Sequence, residues 1–255
     1  MSTLWRKNRN MKVCLAGTYC RESMIKKAGL CDYVLESFWY VKDWQLEKIK
    51  KCKLFLLDSG AFTFMSNTNK KIDWDKYVEN YANFINKNDI KHFFELDIDV
   101  IVGLKEVERL RNKLETLTHK KCIPVWHKSR GLEYWKQMTK DYDYVAIGGI
   151  VAKEIKPYEY KYFNALLKIA RENKCKVHGL GFTGVKYLHT YPFYSVDSTA
   201  WSSGWRFGTL YKFNGKGFNK IKYKDKRIIK DKGTDVDLFN YTEWVKFQKY
   251  ADKCL

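Results

Sequence analysis

The run Leu54-Phe55-Leu56-Leu57-Asp58-Ser59-Gly60 decides the reading of this chain. An apolar stretch of strand length stops on a carboxylate and meets a turn at once. The same grammar recurs along the sequence. Short apolar, β-branched runs at 12–16, 53–58, 92–97, 122–126, 144–148, 176–180 and 194–197 read as strands, and amphipathic helical stretches lie between them. Trp74, Tyr77, Val78, Tyr81 and Ile85 share one helical face, with Asp73 placed to cap it. Leu104, Val107, Leu110, Leu114 and Leu117 form a second stripe, and Tyr160, Phe163, Leu167 and Ala170 a third. Strand followed by helix, seven times over, means a parallel sheet, because parallel neighbours need a crossover connection.

A doubly wound open sheet and a closed barrel both satisfy that pattern, and the strand ends separate them. Asp58-Ser59-Gly60, Asp97-Ile98-Asp99, His127-Lys128, Gly148-Gly149, Gly179-Leu180-Gly181 and Asp197-Ser198 each follow directly on a strand run. A barrel gathers all of its C-terminal strand ends around one mouth, whereas an open sheet gathers only those at its switch point. Six polar ends therefore favour a single compact α/β domain of the (β/α)8 TIM type over residues 1–255, with 206–213 as the eighth strand. A length of 255 residues suits one such domain.

The chain carries 48 Lys and Arg against 29 Asp and Glu, a formal charge of +19. A neutral sugar or an amino acid does not call for that excess; a polyanion does, and a Lys-rich genome is the alternative source. Between 206 and 235 ten basic residues stand against three acidic ones, interleaved with Tyr211, Phe213, Phe218 and Tyr223. That segment reads either as a nucleic-acid contact surface or as a hairpin with lysines on a solvated edge. Lys222, Lys224, Lys226 and Arg227 are its candidate contacts, and an amphipathic helix over 236–254 follows. The seven cysteines are odd in number and form no C-x-x-C pair, which reads as reduced thiols without a zinc framework. No apolar stretch approaches the roughly 18 residues of a membrane span, so the expectation is a cytoplasmic protein with no membrane partner.

The carboxylates carry the chemistry. Asp58 is either a turn cap or a site residue. Glu95, Asp97 and Asp99 would share one strand face at period two, where they repel unless a cation or donors from a substrate compensate. A divalent metal held by Asp58, Asp97 and Asp99 is the rival use of these groups. His127 stands at the mouth beside Lys128, Ser129 and Arg130, whereas His178 lies within its strand and reads equally well as a core residue. Gly148, Gly149 and Gly181 would let a planar ligand approach the backbone. Asp197 precedes Ser198, Thr199, Trp201 and Arg206, which suits a nucleophile beside a base and a phosphate. Asp58 and Asp197 on opposite sides of one sugar could run a retaining displacement at a ribosyl carbon.

These segments, in this order, resemble the tRNA-guanine transglycosylase superfamily over roughly residues 52–208. Asp58-Ser59-Gly60-Ala61-Phe62-Thr63 resembles its D-S-G-G-F-Q, Leu96-Asp97-Ile98-Asp99 its D-E-C segment, and Ala146-Ile147-Gly148-Gly149-Ile150-Val151-Ala152-Lys153-Glu154 its A-I-G-G-L-x-V-G-E. His178-Gly179-Leu180-Gly181 stands at its L-M-G-V-G, and Ser195-Val196-Asp197-Ser198 at the segment of its nucleophile. The resemblance implies a barrel that exchanges guanine for a 7-deazaguanine. Asp197 would be the nucleophile and Asp58 the acid/base. Asp97, Asp99, His127, Gly148, Gly149, Gly181 and Glu154 would hold the base, while Lys128, Arg130, Trp201 and Arg206 would contact nucleic acid. The chain departs from the family in lacking the C-x-C-x-x-C…H zinc site, in His127 near the position of a glutamine, and in Thr63 in place of another. It is thus most similar to the short, zinc-free phage and mobile-element branch. That implies DNA rather than tRNA as the partner, a free 7-deazaguanine as co-substrate, no metal and no cofactor. A DNA glycosylase excising a modified base, with a role in phage defence, would use the same site. A metal-dependent barrel hydrolase and a non-catalytic nucleic-acid-binding barrel are the other classes these residues allow.

Overall fold

The computed structural model describes residues 10–60, 72–202, 204, 207–222 and 233–255. Seven parallel strands form one curled sheet: β1 (Lys12–Ala16), β2 (Tyr33–Ser37), β3 (Leu54–Asp58), β4 (Val125–Trp126), β5 (Tyr144–Ile147), β6 (Lys176–Gly179) and β7 (Ser195–Ser198). Their spatial order is β3-β2-β1-β7-β6-β5-β4. Phe93 and Phe94 lie between the two edges. Leu57 donates its N–H to His92 O at 3.0 Å and accepts from Phe94 N at 2.9 Å. Ile123, just before β4, donates to Phe93 O at 2.8 Å and accepts from Glu95 N at 3.1 Å.

Alternation along the strands sorts the side chains onto two faces. Cys14, Leu35, Leu56, Phe94, Ile123, Val125 and Ala146 pack together on the inward face. Val13, Leu15, Val34, Val145, Val177 and Val196 point outward into the helix layer. By the same parity Asp58, His178, Ser195 and Asp197 belong to the inward set. Outside lie α1 (Glu22–Ala28), α2 (Asp43–Ile49), α3 (Trp74–Lys87), α4 (Asp99–Val102), α5 (Leu104–Thr118), α6 (Gly131–Asp141), α7 (Phe163–Glu172), α8 (Val185–Leu188) and α9 (Gly233–Cys254). The three expected apolar stripes sit where periodicity put them, and Asp73 caps α3 by accepting from Lys76 N at 3.0 Å. Leu117 departs from its stripe and is exposed. Among the described residues no helix is long and apolar enough to cross a membrane. All seven cysteines are free; Cys20 and Cys254 are exposed.

The structure corrects the expected elements in three places. A strand forms at Tyr33–Ser37, which sequence reading does not give because Glu36 breaks the apolar run; Thr18 and Gln45 donate to one oxygen of that buried acid. Of the expected eighth strand over 206–213, Arg206 lies outside the described residues and the rest does not join the parallel sheet. Strand β8 begins at Thr209, runs to Phe213, and pairs antiparallel with β9 (Phe218–Lys222) in a separate two-stranded sheet. The turn Asn214–Gly217 folds β9 back onto it, and Tyr211, Phe213 and Phe218 pack on Trp244 and Phe247 of α9. Residues 95–99 leave the extended conformation. Ile98 N bonds Leu96 O at 3.0 Å, and Asp99 opens α4, so the three acids do not converge by strand pleating.

Candidate active site at the strand ends

The β4–β5 side of the mouth is an ion-pair network. Glu95 is fully buried. One of its oxygens accepts from Val125 N at 2.7 Å and Arg130 at 3.1 Å, and the other from Arg111 at 3.2 Å. Arg130 reaches onward to Asp99 Oδ2 at 2.6 Å. His127 bridges two carboxylates, with Nε2 2.5 Å from Asp97 Oδ1 and Nδ1 2.8 Å from Glu154 Oε2. Ser129 N donates to the other Glu154 oxygen at 3.2 Å. Burial pulls the His127 imidazole down, but Asp97 and Glu154 outweigh it and push it up to about 9. Both ring nitrogens thus donate from a cation. Four carboxylates here face Arg111, Arg130 and an imidazolium. The repulsion expected within the acidic trio is therefore neutralised from inside the protein. Asp99 Oδ1 is buried and accepts nothing among the described residues.

The β6–β7 side is built from neutral donors. Asp197 Oδ1 accepts from Gly181 N at 2.6 Å and lies 3.2 Å from His178 Nε2. His178 is fully buried, with Nδ1 2.6 Å from Ser195 Oγ, and that hydroxyl is in hydrogen-bond contact with Tyr144.

Asp58 stands between these sides at the end of β3, where its Oδ2 accepts from Gly60 N at 2.9 Å. Burial pushes its carboxyl up and the Gly60 N–H pulls it part of the way back. The charges of Asp97 and Asp197 add to the rise, which reaches about 6. Asp58 therefore sits in the fields of both Asp97 and Asp197. A carboxyl half-protonated near pH 6 beside anionic carboxylates can act as a general acid.

The glycines serve a different end from the one expected. A Cβ on Gly148 would lie 2.9 Å from His127 Cε1, and one on Gly149 (φ +72°) 2.5 Å from Glu154 Oε2. On Gly181 (φ +65°) it would meet Val151 Cγ2 at 2.2 Å. The room they leave is filled by the chain's own side chains, so they fix His127, Glu154 and Val151 rather than admit a ligand to the backbone.

The expected nucleic-acid contacts divide. Arg130 is corrected to a buried counter-ion: its side chain is 2% exposed and committed to Glu95 and Asp99. Trp201 is a core residue, fully buried, donating its indole N–H to Ala16 O at 2.8 Å and packed on Tyr241. Lys128 is exposed and paired with Glu159, and Lys222 is exposed on β9. Arg206, Lys224, Lys226 and Arg227, like Ala61-Phe62-Thr63, lie outside the described residues. The aromatics of the basic hairpin point inward; the outward face of its two strands carries Leu210, Lys212, Asn219 and Ile221, while Lys220 and Lys222 share the face of Tyr211 at the exposed strand edge.

Asp97, Asp99 and His127 each place one donor atom within 4.8 Å of the others. As arranged, an imidazolium has no lone pair for a cation, and Arg130 already neutralises Asp99. The set fits an ion-pair network better than a metal cradle. The signals that sequence reasoning missed are Arg111, which sits on the buried stripe of α5, and Ser195 and Tyr144. Those two hydroxyls fall on the inward parity of β7 and β5, and parity was the clue available.

No protein-family model matches the chain, and no curated protein matches it. Among solved structures, one similar in shape is described as an enolase protein from the environmental genome shotgun sequencing of the Sargasso Sea. It is 8% identical, with a TM-score of 0.42 over 76% of this chain. The chain covers 55% of that structure's length.

Proposed function

We propose that the chain is an enzyme that breaks and remakes the N-glycosidic bond of a nucleic-acid base, exchanging guanine for a 7-deazaguanine in DNA. In this reading the curled sheet is a complete (β/α)8 barrel, with 92–95 as the rung that joins β3 to β4. The observation that carries the function is the division of labour between two carboxyls at one mouth. Asp58 is raised to about 6 in the field of Asp97 and Asp197, while Asp197 is held by two donors on one oxygen.

Asp197 attacks C1′ of the nucleotide. The C1′–N bond breaks, its electron pair leaves with the base, and Asp58 supplies the proton that neutralises it. The resulting aspartyl ester is resolved when N9 of an incoming 7-deazaguanine loses its proton to Asp58 and attacks C1′, releasing Asp197. The charge of +19 favours a polyanionic substrate.

The test is incubation with labelled duplex DNA, with and without free 7-deazaguanine. Incorporation of the free base supports exchange. Release of base without it assigns the site to excision, with water in place of the incoming base. Inert binding, or turnover abolished by a chelator, overturns the reading.

A further inference from the structure

We infer that His178 is a positioning residue that dictates which oxygen of Asp197 reacts. The inference rests on the proposed role of Asp197, but its geometry stands alone. His178 lies on the inward face of β6, buried against Phe94 at a ring distance of 5.3 Å. Its two nitrogens face different chemistry. Asp197 Oδ1 can only accept, so Nε2 carries the hydrogen on that side. On the other side stand two hydroxyls in series, Ser195 and Tyr144.

Two directions of donation are available, and counting hydrogens separates them. If Nδ1 donated to Ser195, Ser195 would donate to Tyr144, and the buried Tyr144 hydrogen would have no acceptor among the described residues. A buried donor without an acceptor is costly. In the opposite sense Tyr144 donates to Ser195, Ser195 donates to Nδ1, and Nε2–H donates to Asp197. Every hydrogen then has an acceptor. The chain of hydroxyls therefore fixes the imidazole tautomer from behind.

The consequence falls on Asp197. Its Oδ1 receives the Gly181 N–H and the His178 Nε2–H, whereas Oδ2 accepts nothing among the described residues. Oδ2 is thus the oxygen free to attack C1′. When it becomes the ester oxygen, Oδ1 becomes the carbonyl oxygen and keeps both donors, so the carboxyl does not rotate between the two half-reactions. His127 has no such role, because both of its nitrogens are held by carboxylates.

Nitrogen-15 NMR of histidine-labelled protein tests the tautomer without any substrate, with His178→Gln used to assign the signal among five histidines. The expected spectrum has a protonated Nε2 and a bare Nδ1, and Ser195→Ala removes the donor that fixes it, so the Nδ1 signal moves. A protonated Nδ1 in the wild type, or no change in Ser195→Ala, overturns the relay. Single-turnover assays on labelled DNA test the positioning. His178→Gln, whose amide N–H reaches toward the Nε2 position, should keep the rate within about tenfold. His178→Leu should lose about 10²-fold in kcat with KM unmoved, the scale of a misplaced reacting group. Equal rates in wild type and Leu variant overturn the positioning role. A wild type inert on DNA with the expected tautomer would instead refute the base-exchange reading and leave the relay standing.

Discussion

His127 and His178 sit at the ends of neighbouring parts of one sheet, yet their surroundings divide the site into two chemistries. His127 lies between Asp97 and Glu154 and is driven to the cation. His178 lies between a hydroxyl and Asp197 and donates in one fixed direction. On the β4–β5 side every charge has an opposite partner, and what is left over, such as Asp99 Oδ1, is buried. On the β6–β7 side the donors converge on one oxygen of one carboxylate and leave its second oxygen uncommitted. Saturated charge holds shape, and an uncommitted anion at a polar mouth is available for attack.

The sharpest way to break that contrast is to remove each side's carboxylate charge in turn. Asp197→Asn keeps the shape and both donors but removes the attacking anion. It should slow turnover by several orders of magnitude while nucleic-acid binding survives. Asp97→Asn should cost far less in rate, since its charge pairs with His127 and adds only secondarily to a rise at Asp58 that burial dominates. A wild-type rate in Asp197→Asn would refute the assignment of the nucleophile.

Asp58 comes next in size. Its loss to Asn should lower the rate by about 10²–10⁴-fold, the usual contribution of a positioned acid. The pH profile supplies the sign. A general acid with its folded value raised to about 6 is protonated below that pH, so base departure should fall as pH rises through 6. The limb should vanish in Asp58→Asn. A limb that persists in the variant belongs to another group.

The saturated side should answer in stability. Arg130→Met leaves the buried Glu95 with Arg111 alone, and breaking such a pair costs about 3 kcal/mol or more. Thermal unfolding should shift accordingly, while the salt dependence of DNA binding stays as in the wild type, because Arg130 touches no phosphate. A change in salt dependence would return Arg130 to the binding surface.

Glu36 offers a control away from both sides. Burial raises its carboxyl to about 7 from an ordinary 4.5, despite hydrogen bonds from Thr18 and Gln45. A raised folded value means stability present below pH 4.5 and lost as pH climbs through 7, worth up to about 3 kcal/mol. Glu36→Gln keeps the Oε1 acceptor and should flatten that decline, making it more stable than wild type at pH 8. Parallel stability curves for the two proteins would show that Glu36 stays neutral or finds a partner.

What was legible in the sequence follows from the range of the forces involved. Strands such as Lys12–Ala16 and the stripe on α3 are written in local periodicity, and they stand as read. That Asp58 feels the charges of both Asp97 and Asp197 was legible in part, because Asp58 and Asp197 close strands and a strand end is a local signal. Tyr33–Ser37 was hidden because its buried acid is held through one oxygen by Thr18 and Gln45, partners 18 and 9 residues away. Arg130 and Trp201 misled for the same reason. A basic or aromatic residue at a strand end looks outward until the packing of Glu95, or of Ala16 and Tyr241, is known. The glycines were expected to admit a planar ligand, but the space beside them is taken by His127, Glu154 and Val151, which only the tertiary packing reveals.

The smallest expected effect concerns the basic hairpin, where sequence and structure differ in a measurable way. The interleaved aromatics allowed either a nucleic-acid contact surface or a solvated hairpin edge, and Tyr211, Phe213 and Phe218 pack against α9. Lys212, Lys216, Lys220 and Lys222 remain exposed on the strands and turn of the hairpin. Such lysines can neutralise phosphate without reading bases, and each contact made adds about 0.9 to the slope of log affinity against log salt on duplex DNA. Replacing Lys212, Lys216 and Lys222 by Gln should therefore weaken binding modestly, lower the salt slope by up to about 3, and leave turnover at saturating DNA unchanged. The affected affinity should be indifferent to base composition, since no stacking ring is lost. An unchanged slope would make the hairpin a solvated edge protected by its charge. A loss that depends on sequence would mean the hairpin presents bases to a ring after all, and the contrast between a reading site at the mouth and a neutral grip on its flank would fail.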